Sequence, residues 1–506
     1  MLCLGLAPMV AWRVLTGTWL ADFWEHAAVI GALANNPTAP LHPMLALDAP
    51  HALESPYHLL LAVVSRVSGL SAITVLGWAA LVNFLVLCVA FRAFVRIFTR
   101  NAMAPFLGLL FTLVLWGPAP WDWSGFYHLH SFSNVMAYPS TLATAAAFAS
   151  VWTTRAFLLS GGVRWAVTTG VLAWLMALVH PATFVFAAIG AGAVVIATAR
   201  RRHVRRAAGV LVSFAAGTAV ALTWPYFPIT GLPGADAAGY LRDNDPLLTW
   251  SSAAVKIFPA LIGLPFLMAR FLRRYRDPLV IILVGASAVY LGARLGTIGS
   301  LAPNIRFVVL TLHIGAADGI ARLLASAPRR WRFRASGLVV VVAFAVAISW
   351  TTTTAGRTAA GLTTSIPDLA FLASDVPDDA VVMTDPITAL EVPAWGPKVV
   401  AWHYAMPFVD DREARRAAVD AYFAAATSPD ERQRIISDWC VEWILIVPER
   451  LERVGGAGVA DLALGGELEP HDRATLVRAP VADGCAAGRG EGQPSGAVLG
   501  TNSMSL

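Results

Sequence analysis

The chain has 506 residues, of which 57% are hydrophobic and only 14% are charged, and its mean hydropathy is +0.63. A soluble domain carries about 25% charged residues, so this composition excludes an ordinary soluble protein. The formal charge of +5 resides in short arginine clusters between apolar runs, with no basic patch interleaved with aromatic residues. This placement is typical of membrane orientation signals, so we expect no nucleic-acid partner.

The apolar runs are continuous, as in Leu107–Trp116, whereas barrel strands would alternate apolar and polar residues. We therefore predict membrane-spanning helices. The first, Met1–Leu20, contains Arg13 but no small-residue cleavage site, so we expect a helix and not a cleaved signal peptide. A polar loop follows at Ala21–Pro56. Tyr57–Val67 is shorter than the about 20 residues that a bilayer requires and is predicted to be a juxtamembrane helix.

Further apolar segments bring the predicted number of membrane spans to about eleven. They are Ser71–Phe91, Met103–Pro118, Val135–Trp152, Trp165–Val179, Ala182–Ala199, Ala207–Phe227, Ala254–Phe271, Leu279–Leu295, Ile305–Leu324 and Gly337–Trp350.

Arginines divide the connections between these spans into two alternating sets. One set holds Arg92, Arg96, Arg100, Arg155, Arg164, Arg200–Arg206, Arg270–Arg276 and Arg329–Arg334. The other set holds only Arg242 away from the span ends. The positive-inside bias places the first set in the cytoplasm, so the loop 21–56 and the C-terminal region lie outside. We predict a multi-pass plasma-membrane protein.

The C-terminal region alternates short apolar runs with amphipathic segments, which predicts a small extracytoplasmic α/β domain. Predicted strands are Val381–Met383, Val399–Trp402 and Trp443–Val447, and predicted helices are Glu413–Ala425 and Asp430–Trp439. Ser428 and Glu431 have the spacing of a helix capping box. The predicted domains are a transmembrane domain at 1–353, the α/β domain at 354–483 and a disordered Gly/Ser-rich tail at 484–506.

The four cysteines show no CxxC or Cys/His metal spacing. Cys440 and Cys485 either form a disulfide, if the C-terminal domain lies in an oxidising compartment, or are unrelated thiols.

An acidic pair opens the first outside loop. If residues 22–35 are helical, Asp22, Glu25 and His26 lie at i, i+3 and i+4 on one face. A carboxylate held beside apolar walls has a raised pKa, which suits a general base. The alternative is an interfacial helix with its polar face in water.

Four further histidines lie at the same predicted depth and are candidate pocket residues: His58, His128, His130 and His180. Trp121 and Trp123 precede two of them, and such aromatics form either an interfacial belt or a sugar-stacking platform. His180 begins a tight hairpin and is either a core histidine or part of the site.

A single arginine stands out on the outside face. Arg306 opens a late span, where positive charge is otherwise absent, and its guanidinium matches a phosphate in geometry. The alternative is a side chain that snorkels to the interface. Arg242 is a weaker companion, since Asp243 or Asp245 can pair with it.

These features together resemble the GT-C superfamily of membrane glycosyltransferases. The resemblance rests on Asp22 and Glu25 after the first span, the interfacial segment Pro56–Leu59, Arg306, and residues 376–386 of the extracytoplasmic domain. It implies a polyprenyl-phosphate-linked sugar donor, a glycan, lipid or protein acceptor, and a loop carboxylate that acts as catalytic base or as ligand of Mg²⁺ or Mn²⁺. The Asp-x-x-Glu spacing leaves open which carboxylate is the base.

Two other functions remain open at this point. A transporter or flippase of lipid-linked glycan would carry charged residues along a path through the spans, and the span interiors are nearly free of them. A non-catalytic envelope protein that binds glycan would need no base, and the unusual acidic spacing is compatible with it.

Overall fold

The computed structural model describes residues 2–118, 120–198, 204–232, 249–296, 299–328, 337–339, 342, 368–404, 406–454 and 457–480. These residues divide into two compact units. The first lies within Met1–Pro43, Leu47–Ile366 and Tyr404–Asp410. The second lies within Met44–Ala46, Pro367–His403 and Asp411–Leu506. The predicted border at 353/354, the tail 484–506 and nearly all of the span Gly337–Trp350 lie outside the described residues.

The first unit is helical. Its α-helices are α1 Leu2–Thr16, α2 Phe23–Asn35, α3 Pro56–Ser68, α4 Ala72–Phe98, α5 Ala104–Val114, α6 Leu129–Val135, α7 Pro139–Ser160, α8 Val163–Val179, α9 Pro181–Thr198, α10 Val204–Ala221, α11 Trp250–Ile257, α12 Leu264–Arg273, α13 Pro278–Arg294 and α14 Ile305–Ser326. Short 3₁₀ helices at Phe258–Gly263 and Gly299–Asn304 precede α12 and α14.

By length and composition, six helical segments of the described residues are able to cross a bilayer, and α5, α8 and α13 are shorter apolar helices. The six long segments coincide with spans predicted from hydropathy, which confirms a multi-pass α-helical membrane protein. The juxtamembrane helix predicted at Tyr57–Val67 is α3, which has 13 residues and ends at Gly69 with φ of 70°. At 1.5 Å per residue, α3 is too short for a ~30 Å hydrocarbon layer.

Several buried charged side chains of the helical unit have polar or charged partners. Arg13 of α1 is buried, and its Nε donates to Ser133 Oγ at 2.7 Å. Asp318 of α14 is also buried and accepts from Arg270 at 2.5 Å and from Arg322. Arg270 additionally pairs with Asp277 at 2.8 Å. A buried charge without a partner is costly, so these pairs fix the mutual positions of α12, α13 and α14.

The second unit is an α/β structure around a five-stranded sheet of order β2-β1-β3-β5-β4. The strands are β1 Val381–Met383, β2 Lys398–Val399, β3 Trp443–Ile446, β4 Leu468–His471 and β5 Ala474–Arg478. β1 pairs in parallel with β2 and β3, whereas β5 pairs antiparallel with β3 and β4. The helices are α15 Leu372–Asp375, α16 Arg412–Phe423, α17 Pro429–Asp438, α18 Pro448–Val454 and α19 Val459–Leu462.

Several sequence predictions for this unit can be compared directly. The strand predicted at Val381–Met383 is β1, and Ser428 Oγ caps α17 by accepting from the Glu431 amide at 3.3 Å. The strand predicted at Val399–Trp402 is wrong in extent, because β2 ends at Val399 while the buried residues after it leave the ladder. Cys440 is disulfide-bonded, and Cys485 lies outside the described residues.

Candidate functional site

The acidic pair sits at the start of α2. Asp22 is the residue before the helix and Glu25 lies in its first turn. Trp19 and Phe23 are fully buried and stack with ring centroids 4.3 Å apart, so an apolar wall stands beside the two carboxylates.

Asp22 has a hydrogen-bonding partner that the sequence did not reveal. The Tyr404 hydroxyl donates to the Asp22 carboxylate, and Tyr404 belongs to the same compact unit. Burial raises the pKa of Asp22 above its usual value, while the Tyr404 hydrogen bond opposes that rise. Asp22 is therefore a carboxylate in a low-dielectric environment with hydrogen bonds from the Tyr404 hydroxyl and from its own backbone amide, which is a suitable environment for a general base.

Glu25 faces a second cluster in the loop before α3. The Nε2 atom of His51 lies 3.7 Å from Glu25 Oε1. His51 Nδ1 accepts from the Leu53 amide at 3.4 Å, so the hydrogen-bond network assigns the ring proton to Nε2, which points toward Glu25. Burial lowers the pKa of His51 to about 3, so this imidazole is neutral at physiological pH.

Glu54 adds a third carboxyl group next to His51. Its side chain is only 2% exposed, and Oε2 accepts from the His51 amide at 3.3 Å. Oε1 is buried and makes no hydrogen bond within the described residues. Burial raises the pKa of Glu54 to about 7. Glu54 and Asp48 both lie in the polar loop 21–56, and the structure shows that Glu54 is buried whereas Asp48 is exposed.

His26 and His58 form a buried pair beneath the acidic residues. His26 Nδ1 lies 3.1 Å from His58 Nε2, and His58 Nδ1 lies 2.9 Å from Ser55 Oγ. Burial lowers the pKa of His26 to about 3 and that of His58 well below its usual value. Both rings are therefore neutral and join α2 to α3 at the floor of the acidic site.

His128 and His130 gather around Asp122 instead. Their Nε2 atoms lie 3.2 Å and 3.5 Å from the two carboxylate oxygens of Asp122. His128 Nε2 is also 2.9 Å from the Trp121 carbonyl oxygen. His128 and His130 are therefore partners of Asp122 in a local cluster at the start of α6.

Arg306 is buried, with 4% of its surface exposed, so the snorkelling alternative does not describe it. One terminal nitrogen donates to the Ser124 carbonyl at 2.7 Å and the other to Thr183 Oγ1 at 3.0 Å. Gly125, with φ of 80°, packs against the guanidinium so closely that a Cβ atom there would overlap it. These contacts fix the orientation of the guanidinium before any ligand arrives.

A small cavity adjoins Arg306. Tyr127, Phe307 and His313 are among its lining residues. His313 Nδ1 is buried and makes no hydrogen bond within the described residues, and the Tyr127 hydroxyl is buried beside the Thr141 and Thr144 hydroxyls. The cavity therefore combines a fixed cation with polar atoms that have hydrogen-bonding capacity.

His180 lies beside the residues that hold Arg306. His180 Nδ1 lies 3.0 Å from Thr183 Oγ1, the same hydroxyl that accepts from Arg306. His180 also interacts electrostatically with both Arg306 and His26. Through Thr183, His180 belongs to the immediate surroundings of Arg306. Arg242 lies outside the described residues.

A metal site does not emerge from this geometry. Within the described ranges, no three His, Cys, Asp or Glu side chains are grouped so that they could hold a metal ion. Since the acidic residues do not offer a ligand set, we derive no step that passes through Mg²⁺ or Mn²⁺, and a divalent cation stays a prediction.

No family model and no curated protein matches this sequence. Among solved structures, the chain is similar to an oligosaccharyltransferase from Archaeoglobus fulgidus, with a TM-score of 0.50, 10% identity, and coverage of 94% of this chain and 73% of that one. The chain has a GT-C-like fold. The arabinofuranosyltransferase AftD from Mycobacteria also aligns, with a TM-score of 0.48, 16% identity and 91% of this chain covered. The alignment spans only 40% of the length of AftD.

Proposed function

We propose that the protein is a membrane glycosyltransferase that transfers a sugar from a polyprenyl-phosphate donor to an acceptor on the extracytoplasmic face. The observation that supports this most is the convergence on His180. His180 shares the Thr183 hydroxyl with the buried and pre-oriented Arg306, and it interacts electrostatically with His26, the residue that follows Glu25. The GT-C-like fold, shared with an oligosaccharyltransferase, supports glycosyl transfer as the reaction class.

The reaction follows from the roles that these side chains can take. Asp22 or Glu25 accepts the proton of an acceptor hydroxyl as that oxygen forms a bond to the anomeric carbon. The bond between the anomeric carbon and the phosphate oxygen breaks, and its electron pair leaves with the polyprenyl phosphate. Arg306 stabilises the negative charge of this leaving phosphate.

Two features of the site serve this chemistry. The stacked Trp19 and Phe23 rings flank Asp22 in the chain, and the apolar surroundings strengthen the interactions of this carboxylate with an acceptor. The contacts of Arg306 with Ser124 and Thr183 hold the guanidinium in place, so little reorganisation is needed during the reaction. A positioned base contributes about 10²–10⁴ in rate.

The test uses purified full-length protein in lipid nanodiscs supplied with polyprenyl-phosphate sugars, and follows the release of polyprenyl phosphate. We compare wild type with Asp22→Asn, Glu25→Gln and Arg306→Ala, and with Asp48→Asn as a control in an exposed carboxyl of the same loop. We expect a loss of about 10²-fold or more for Arg306→Ala and for the variant that removes the base.

Full turnover in all three site variants would remove the proposed site. Absence of turnover with every donor, together with glycan binding, would favour the non-catalytic alternative.

The donor lipid, the acceptor and the orientation belong to the proposal as well. We propose that the protein resides in the plasma membrane with the second unit outside. A reporter that is active only outside the cytoplasm, fused to the C-terminus, is expected to be active. The same assay with and without a chelator tests the prediction of a divalent cation.

A further inference from the structure

One segment of the helical unit comes from a distant part of the chain. Tyr404–Asp410 belongs to the compact unit that contains Asp22, although the chain on both sides of the segment belongs to the other unit. Met406 and Val409 are buried. Phe408 packs against an aromatic cluster that includes Trp174, Trp224 and Tyr226. The segment is therefore anchored by apolar packing and presents Tyr404 at a defined place.

The hydrogen bond of Tyr404 selects one of the two carboxylates. Its hydroxyl donates to Asp22, and it also interacts electrostatically with Glu25. Burial and the two neighbouring carboxylates raise the pKa of Tyr404 above its usual value, so the hydroxyl keeps its proton. An ionised carboxylate can only accept, so Tyr404, which keeps its proton in the working pH range, serves the ionised form of Asp22 as a donor.

The physical effect of this donor is specific. A hydrogen bond to a carboxylate favours its ionised form, against the desolvation that favours the protonated form. It also restricts the rotation of the carboxylate and leaves the remaining lone pairs for an acceptor hydroxyl. Asp22 receives no capping bond from its own helix, so Tyr404 supplies an orientation that α2 alone does not.

We propose that Tyr404 is a positioning residue that orients the Asp22 carboxylate for proton transfer through its hydrogen bond. This inference rests on the proposed glycosyl transfer and adds to it a residue from beyond the last predicted span. It takes Asp22, the carboxylate that this hydroxyl contacts, as the general base.

The experiment measures kcat and kcat/KM against pH for wild type and Tyr404→Phe, a change that removes only the hydroxyl. A base works when it is ionised, so kcat/KM rises with pH through the pKa of Asp22. Loss of the donor raises that pKa, and the acid limb moves to higher pH by about one to two units. At a pH on that limb, kcat falls about tenfold or more, while KM for the donor is unchanged.

Tyr226→Phe is the matched control, because the Tyr226 hydroxyl donates to the Pro37 carbonyl at 2.5 Å and not to a carboxylate. Its acid limb is expected to coincide with that of wild type. In the Asp22→Asn background, Tyr404→Phe is expected to cause no further loss, since it acts through Asp22.

A second variant keeps the inference testable if Tyr404→Phe fails to fold. Difluorotyrosine at position 404 retains the shape and strengthens the hydroxyl as a donor, so the acid limb is expected to move to lower pH. An unchanged acid limb in the Phe and difluorotyrosine variants, with Asp22→Asn still inactive, overturns the role of Tyr404 alone. Full activity of Asp22→Asn overturns the assigned base, and full activity of all site variants overturns the proposed function.

Discussion

Glu54→Gln should stabilise the protein relative to wild type, and the gain should be larger at pH 8 than at pH 5. The Glu54 side chain is 2% exposed, and its pKa is raised from 4.5 to about 7 by burial. Below the unfolded pKa, both states are protonated and this group adds no pH dependence. As pH rises from about 4.5 to 7, the unfolded state ionises first, so the folded state loses stability.

The size of the effect follows from the shift in pKa. Between 4.5 and about 7 there are about 2.5 units, and each unit corresponds to 1.36 kcal/mol, so the loss approaches about 3 kcal/mol above pH 7. Glutamine cannot ionise and therefore escapes this loss. The buried carboxyl groups of Asp22 and Glu391 are shifted in the same direction, but they are present in both proteins and cancel in the difference.

The assay is thermal unfolding in detergent at pH 5 and pH 8 for wild type, Glu54→Gln and Asp48→Asn. Asp48 is an exposed carboxyl of the same loop, so its variant controls for the removal of one charge. The melting temperature of Glu54→Gln minus that of wild type should be larger at pH 8 by several degrees. An equal difference at both pH values, or the same change in Asp48→Asn, would refute the assignment of a desolvated carboxyl to Glu54.

Other parts of the structure give equally direct predictions. Gly125→Ala should reduce turnover about tenfold or more with little loss of fold, because a Cβ atom there displaces the Arg306 guanidinium; normal kinetics would contradict this. Arg270→Ala should destabilise the helical unit by about 3–5 kcal/mol, measured by denaturant unfolding, and adding Asp318→Asn should recover part of the loss. Ser428→Ala should lower the free energy of local opening at the start of the helix that it caps by about 1 kcal/mol, measured as faster amide hydrogen exchange.

The membrane architecture was predictable because hydropathy is a local property. Each span is a continuous apolar run, and α3 is short because Gly69 ends it in a left-handed conformation. The β4–β5 hairpin could not be predicted, because it has no continuous apolar run. β4 is mostly exposed, and its two-residue turn at 472–473 is Asp-Arg, which lacks the glycine that marks such turns.

The candidate site was only partly predictable. The acidic pair was found because its spacing matches one helix face, and Arg306 because it departs from the charge bias. Tyr404 could not be found, since a hydrogen bond to Asp22 from a remote segment leaves no local pattern. The roles of His128 and His130 also required the fold, because Asp122 binds them in a separate cluster.

The central claim is that the acidic residues of the first loop and Arg306 line one site, where they act on the acceptor and the donor of a single sugar transfer. Photolabelling with a polyprenyl-phosphate sugar that carries a small photoreactive group near the phosphate tests it most directly, with labelled peptides mapped by mass spectrometry. The account predicts labelling both within residues 19–26 and within residues 303–310, and loss of both labels when unlabelled polyprenyl phosphate competes. Competed labelling confined to one of the two segments, or to neither, would contradict it.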